Sequence, residues 1–235
     1  VLQTADVEID DPEQPLVEHL EELRFRLIRS IVAVAVGTGL VWTRAGQFLS
    51  WLAKPVGGLI FIAPTEAFFV RLKVAMFGGF LLALPFVLYQ VWAFVARALG
   101  RGLRASVVRL IPASYLLFLL GAGVCVGLVI PAAMTFLISY GGEDVKPMLS
   151  VGSYAEFVIS LAIAFGVVFQ LPLILILLNR IGMVSRRALT ETRRYAWLIA
   201  FIIAAVLTPG PDVISQISLG VPMVLLFELS LLFMR

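Results

Sequence analysis

Two carboxylates stand side by side in His19-Leu20-Glu21-Glu22-Leu23-Arg24, just ahead of a long apolar run. A carboxylate held at such a boundary can bind a cation. Leu16, Leu20, Leu23 and Leu27 recur at helical spacing, so residues 15–26 read as an amphipathic helix lying on a membrane and running into the first span. Pro15 suits its first turn. Acids beside a headgroup layer are an odd choice where basic residues would bind anionic lipid, and they suit a basic ligand. The plainer reading is a juxtamembrane helix with its acids in solvent.

Three further polar positions invite chemistry. Gln170 and Glu228 are the deepest polar groups in the apolar runs, and ionisable residues within a span are functional candidates by default. For Gln170 the competing reading is an interhelical hydrogen bond; for Glu228 it is snorkelling to the interface. Pro64-Thr65-Glu66 precedes another run, where capping and the helix dipole explain most of its composition. Catalytic readings fail on inventory. The single histidine, His19, lies outside every apolar run and the single cysteine, Cys125, lies inside one, so no intramembrane serine–histidine pair, cysteine metal site or disulfide can form within one chain. No cofactor is implied, and the chain reads as a non-enzyme.

The elements that must position these residues follow from composition. The chain is 61% hydrophobic and 14% charged, with a mean hydropathy of +1.03. It lacks the polar residues to cover a water-facing surface, so its outer surface faces lipid. Six apolar stretches, roughly 27–42, 70–91, 110–136, 154–178, 195–207 and 214–234, predict an all-α polytopic membrane protein with six transmembrane helices. The fifth stretch has only thirteen residues, and the sixth is interrupted by Ser215, Gln216, Ser218, Gly220, Pro222 and Glu228. Helices 5 and 6 are therefore expected to be short, with local thinning of the bilayer as the response. Residues 1–14 read as a disordered acidic tail and 15–235 as a single membrane domain. The polar, acidic first twenty residues lack the pattern of a cleavable signal peptide. Of the 18 basic residues, thirteen fall on the side of both termini and five on the other. That split predicts cytoplasmic N and C termini. Basic residues placed between apolar runs are a topology signal, and no nucleic-acid partner is expected.

Four segments then read together. His19-Leu20-Glu21-Glu22-Leu23-Arg24-Phe25-Arg26-Leu27 resembles the HLxELRxRL opening of the TatC family of twin-arginine translocase subunits, and Pro85-Phe86-Val87-Leu88-Tyr89-Gln90-Val91-Trp92-Ala93-Phe94 is similar to its P-x-x-x-Y-Q-x-W-x-F signature. Ala164–Pro172 and Leu207–Asp212 resemble its AFG-x-x-F-[EQ]-x-P and LTP-x-x-D segments. The resemblance implies six helices cupped around a concave face, recognition of twin-arginine signal peptides of folded precursors, and a translocon assembled with TatA/TatB-type single-span proteins. It also implies transport driven by the proton-motive force, with self-association of the subunit possible. By position it assigns signal-peptide recognition to Glu22, with Leu20, Glu21, Arg24 and Phe94 around it. Extracytoplasmic or partner-docking roles fall to Pro64, Glu66, Asp212 and Gln216.

The first cytoplasmic loop departs from the family pattern. It reads Phe94-Val95-Ala96-Arg97-Ala98-Leu99-Gly100-Arg101-Gly102-Leu103-Arg104, with Arg97 where the family has proline and Leu103 where it has a second signal-peptide glutamate. With Arg109 the loop carries four arginines and no acid, which is poor electrostatics for an incoming arginine pair. A different class of function, a small-solute secondary transporter with Gln170 and Glu228 lining a midplane site, would call for two related halves. No internal repeat supports it.

Overall fold

The computed structural model describes residues 16–53, 58–98, 110–139, 148–208 and 213–234. The expected acidic tail over 1–14 lies outside them. The amphipathic segment and the first apolar run form one continuous helix, α1 (Leu16–Trp42), followed by a short α2 (Ala45–Ala53). Helix α3 (Glu66–Ala98) returns with 33 residues, about 50 Å at 1.5 Å per residue. It therefore outruns a hydrocarbon core of about 30 Å and carries Phe94 and Arg97 past the apolar layer.

Contact between α1 and α3 is made by glycine. Among the described residues of α1 only Gly37 is buried, and it meets Gly79 backbone to backbone. A Cβ on Gly79 would lie 2.3 Å from the Thr38 nitrogen, and one on Gly37 would lie 2.6 Å from the Gly79 oxygen. Small residues allow this approach, which is how helices associate where lipid removes the hydrophobic drive between them.

The third stretch is α4 (Leu110–Val124), a wide π turn (Cys125–Val129) and α5 (Ile130–Ser139). Ile130 N–H donates to the Cys125 oxygen, a wider loop than the α-helix closes, just before Pro131 removes a donor from the ladder. The fourth stretch breaks where its sequence says it must. Helix α6 (Val151–Val168) ends at Phe169, and α7 (Leu171–Arg180) starts with Pro172 in its first turn. Gly182, at φ 76°, stops α7, a left-handed conformation that glycine adopts without cost. Helices α4 and α6 interlock: Cβ atoms added to Gly121 and Gly166 would fall 2.8 Å and 2.4 Å from the rings of Phe169 and Phe118. Phe118, Leu161 and Phe165 form the centre of the largest apolar cluster, which α3, α10 (Val213–Phe233) and other helices complete.

Helix α8 (Arg186–Glu191) and α9 (Arg193–Leu207) precede α10. Two expectations about the last helices meet the structure here: the fifth is short as expected, and the sixth is not. Helix α9 has 15 residues, about 22 Å, so among the described residues five helices, not six, are long and apolar enough to cross a membrane. Helix α10, expected to be short, runs unbroken for 21 residues. Its polar interruptions do not stop it because they face inward. Ser215 and Ser230 are buried, Gly220 sits under the Phe201 ring, and Gln216 Nε2 donates to the Phe201 oxygen at 3.3 Å. Backbone hydrogen bonding sets the length of a helix in lipid, and side chains satisfied by neighbours leave it intact. The protein is thus an all-α, multi-pass membrane protein, with one small addition. Leu59–Ile60 (β1) and Leu149–Ser150 (β2) pair in parallel, joining the segments that enter α3 and α6.

Candidate functional site

Glu22 is the centre of the site. Its Oε1 accepts from Arg26 Nε at 2.6 Å and lies 2.6 Å from Arg26 Nη2, one helical turn on. Its Oε2 pairs with Arg97 Nη1 at 3.0 Å, from the last turn of α3. Arg26 is itself tied to α3, its Nη1 donating to Gln90 Oε1 at 3.0 Å. One carboxylate therefore holds two guanidinium groups, with its side chain only 11% exposed. Screening by solvent is reduced at such a position, so the charge-assisted bonds to the largely buried Arg26 exceed the worth of an ordinary surface ion pair.

The surrounding residues divide clearly. Glu21, Glu22, Phe25, Arg26, Arg29 and Arg97 line an open cleft of about 290 Å³, two carboxylates among three guanidiniums. Phe94 is half-buried and stacks on His19, with ring centroids 4.4 Å apart. Leu20, Glu21 and Arg24 are exposed on α1. Leu103 lies outside the described residues. Sequence reasoning missed Arg26, Gln90 and the His19–Phe94 stack. The four-residue spacing of Glu22 and Arg26 carried the first of these; nothing local signalled the others.

The two deep polar residues are engaged, and separately. Gln170 is buried in the break between α6 and α7. Its Oε1 accepts a short hydrogen bond from Ser114 Oγ, and its Nε2 donates to the Ser114 oxygen at 3.1 Å and the Gly166 oxygen at 3.2 Å. Both amide hydrogens are used, so Gln170 serves as an interhelical hydrogen-bonding group that pins α4 to the broken helix. Glu228 of α10 pairs with Arg193 and accepts from Trp197 Nε1 at 3.1 Å, both from α9. Each residue is satisfied by a different helix, which leaves no shared midplane site for a solute. Among the described residues no cluster of three His, Cys, Asp or Glu could hold a metal ion.

The profile of the family described as Sec-independent protein translocase protein (TatC) matches residues 18–222. The chain belongs to the TatC family. It is 39% identical to the Sec-independent protein translocase protein TatC of Carboxydothermus hydrogenoformans, over 95% of this chain and 93% of that protein. To the TatC of Escherichia coli it is 38% identical, over 94% of this chain and 88% of that one. The structure superposes on a crystal structure of the twin-arginine translocase receptor TatC with a TM-score of 0.81, at 37% identity and over 92% of this chain and 99% of the other. As a TatC protein the chain is a twin-arginine translocase membrane subunit, not an enzyme.

At the opposite end of this TatC protein, Glu66 acts as a clamp. Its Oε2 accepts from the Ile62 and Ala63 nitrogens at 2.7 and 3.4 Å. Its Oε1 accepts from the Gly152 nitrogen at 2.6 Å and, in a short bond, from Ser150 Oγ. It thereby fastens the turn ahead of α3 to the first turn of α6, where the helix dipole favours a negative charge. Pro64 is exposed in that turn, and Asp212 lies outside the described residues. Glu66→Gln places an amide nitrogen against backbone donors and is expected to lower the thermal midpoint in detergent by a few degrees. A Ser150→Ala variant removes one of these donors and also the cap that Ser150 Oγ gives the Ser153 N–H at 3.3 Å, so it should lower the midpoint as well. An unchanged midpoint for Glu66→Gln would sink the clamp.

Proposed function

We propose that this TatC chain is the subunit that receives twin-arginine signal peptides of folded precursor proteins, with Glu22 as the group that takes an arginine. The observation that carries the reading is the pair of guanidiniums already gathered on one largely buried carboxylate. A site that holds two such groups in α1 and α3 has the charge, the geometry and the partial desolvation that an incoming arginine pair needs. Leu20, Arg24 and Phe94 supply the flanking surface and Glu21 a second exposed acid, and Leu103 belongs to the recognition set by its place in the sequence.

In this reading α9 crosses as a sixth, short span in a locally thinned bilayer, the helices cup around a concave face, and both termini lie in the cytoplasm of a cell whose inner membrane holds the protein. Single-span TatA/TatB-type partners dock on α9 and α10, Gln216 included, and on the outer turn that holds Pro64 and Glu66, with Asp212 assigned to that surface by its place in the sequence, and the assembled translocon works on the proton-motive force. Self-association of the subunit is compatible with that assembly.

Site-specific photocrosslinking tests the reading and its orientation together. With probes at residues 20, 24 and 94 in inverted membrane vesicles, a twin-arginine peptide added outside should crosslink, and a twin-lysine peptide should do so far less. A probe at residue 62, on the opposite side, should stay silent. Equal crosslinking of both peptides, or labelling at 62 alone, would refute it.

A further inference from the structure

Arg26 and Arg97 occupy Glu22 in very different ways. Arg26 is 15% exposed, lies one turn along the same helix as Glu22, and is bonded to Gln90 as well. It is part of the α1–α3 interface and cannot leave without opening it. Arg97 is 54% exposed, and Glu22 is the partner the structure gives it. It stands in the last turn of α3, where a cation is favoured by the helix dipole whether or not it keeps its carboxylate. A change of side-chain rotamers is enough to release it.

We infer that Arg97 is an internal competitor for the signal-peptide site: its guanidinium fills the place on Glu22 Oε2 that an incoming arginine takes, and binding proceeds by exchange of one for the other. The inference rests on the receptor reading of Glu22 given above. Exchange of like for like makes binding nearly neutral in the number of ion pairs formed, and it discriminates. A lysine ammonium, lacking the fork and more strongly hydrated, displaces a seated guanidinium poorly. The competitor is tethered, so the site is open only for the fraction of time that Arg97 is away, and the observed affinity is lowered by that fraction. The position read from sequence as a departure from the family pattern thereby becomes a selectivity device built into this chain.

The test is a peptide titration of the full chain in nanodiscs with Arg97→Gln, Arg97→Lys, Glu22→Gln and the double variant Glu22→Gln/Arg97→Gln. Arg97 is half exposed at a helix end, and matching thermal midpoints confirm that its variants are folded. Arg97→Gln should bind the twin-arginine peptide roughly two- to fivefold tighter at low salt, the range expected for loss of one partly exposed ion pair. Arg97→Lys should fall between it and the unmodified chain, and the preference over a twin-lysine peptide should narrow. In the Glu22→Gln background the same change should give no gain. Unchanged or weaker binding by Arg97→Gln would overturn the inference, as would an equal gain with Glu22 replaced, since Arg97 would then act only as a distant charge. Failure of the receptor reading looks different. In that case neither the unmodified chain nor Arg97→Gln distinguishes the two peptides, and both proposals fall. If the unmodified chain discriminates but Arg97→Gln does not tighten, only the competitor falls.

Discussion

Glu22→Gln should weaken binding of a twin-arginine peptide by about ten- to a hundredfold, while Glu21→Gln leaves it within about fivefold. A hydrogen bond to a charged group is worth about 1.5–3 kcal/mol when protected, and about 1.4 kcal/mol is a factor of ten. Glu22 meets that condition, its side chain 11% exposed and held by groups from two helices. Glu21 is exposed and makes no ion pair among the described residues. An exposed acid contributes about 0.2–1 kcal/mol at most. The two neighbours are indistinguishable by composition, so the contrast isolates geometry. Titration by fluorescence anisotropy in nanodiscs reads the effect. Equal losses for both variants would mean that the cleft attracts the peptide only through its overall charge.

The larger structural effect is expected from a single methyl group. Gly79→Ala should destabilise the protein by roughly 3 kcal/mol or more, at or beyond the top of the range for overpacking. The added Cβ would meet main-chain atoms, Thr38 N at 2.3 Å and Gly37 C at 2.7 Å, and main chain cannot rotate away. Two controls sit beside it. Gly78→Ala meets Val41 Cγ1 at 2.8 Å, a β-branched side chain that is stiff in a helix but is not main chain, so its cost should be intermediate. Gly39→Ala meets nothing within 4 Å and should be neutral or mildly stabilising, since alanine is the better helix former by up to about 1 kcal/mol. Thermal unfolding in detergent orders the three. Because the Gly37–Gly79 contact sets how α1 lies on α3, Gly79→Ala should also weaken peptide binding at Glu22, far along the helices from the substitution. A normal midpoint and normal binding for Gly79→Ala would show that the helices do not touch there.

The class of this protein was legible because solvent imposes it on composition. With 61% of its residues hydrophobic the chain has no way to present a wet surface, and in lipid its backbone must bond to itself as helices. A missing donor accounts locally for the π turn beside Pro131 and the break at Pro172, yet Pro85 and Pro222 sit inside α3 and α10 without ending them. Length was less so. The thirteen apolar residues over 195–207 marked a short helix correctly, yet the interruptions in 214–234 promised a second one that does not exist. Whether Ser215, Gln216 and Gly220 end a helix depends on what faces them, and only α9 and the packed core answer that.

The site divides along the same line. The sequence alone placed an acidic pair on a helix at the membrane edge, and through the family resemblance it picked out Glu22. It placed Gln170 and Glu228 within apolar runs but could not say that Ser114, Arg193 and Trp197 satisfy them, because those partners lie on other helices. Nor could it show Arg97 on Glu22. In sequence Arg97 is a basic residue in a basic loop, and it reaches the carboxylate only because two glycines let the backbones of α1 and α3 touch. That approach fixes the register of one helix on the other, and a register between segments distant in the chain is decided by packing, which local spacing does not encode.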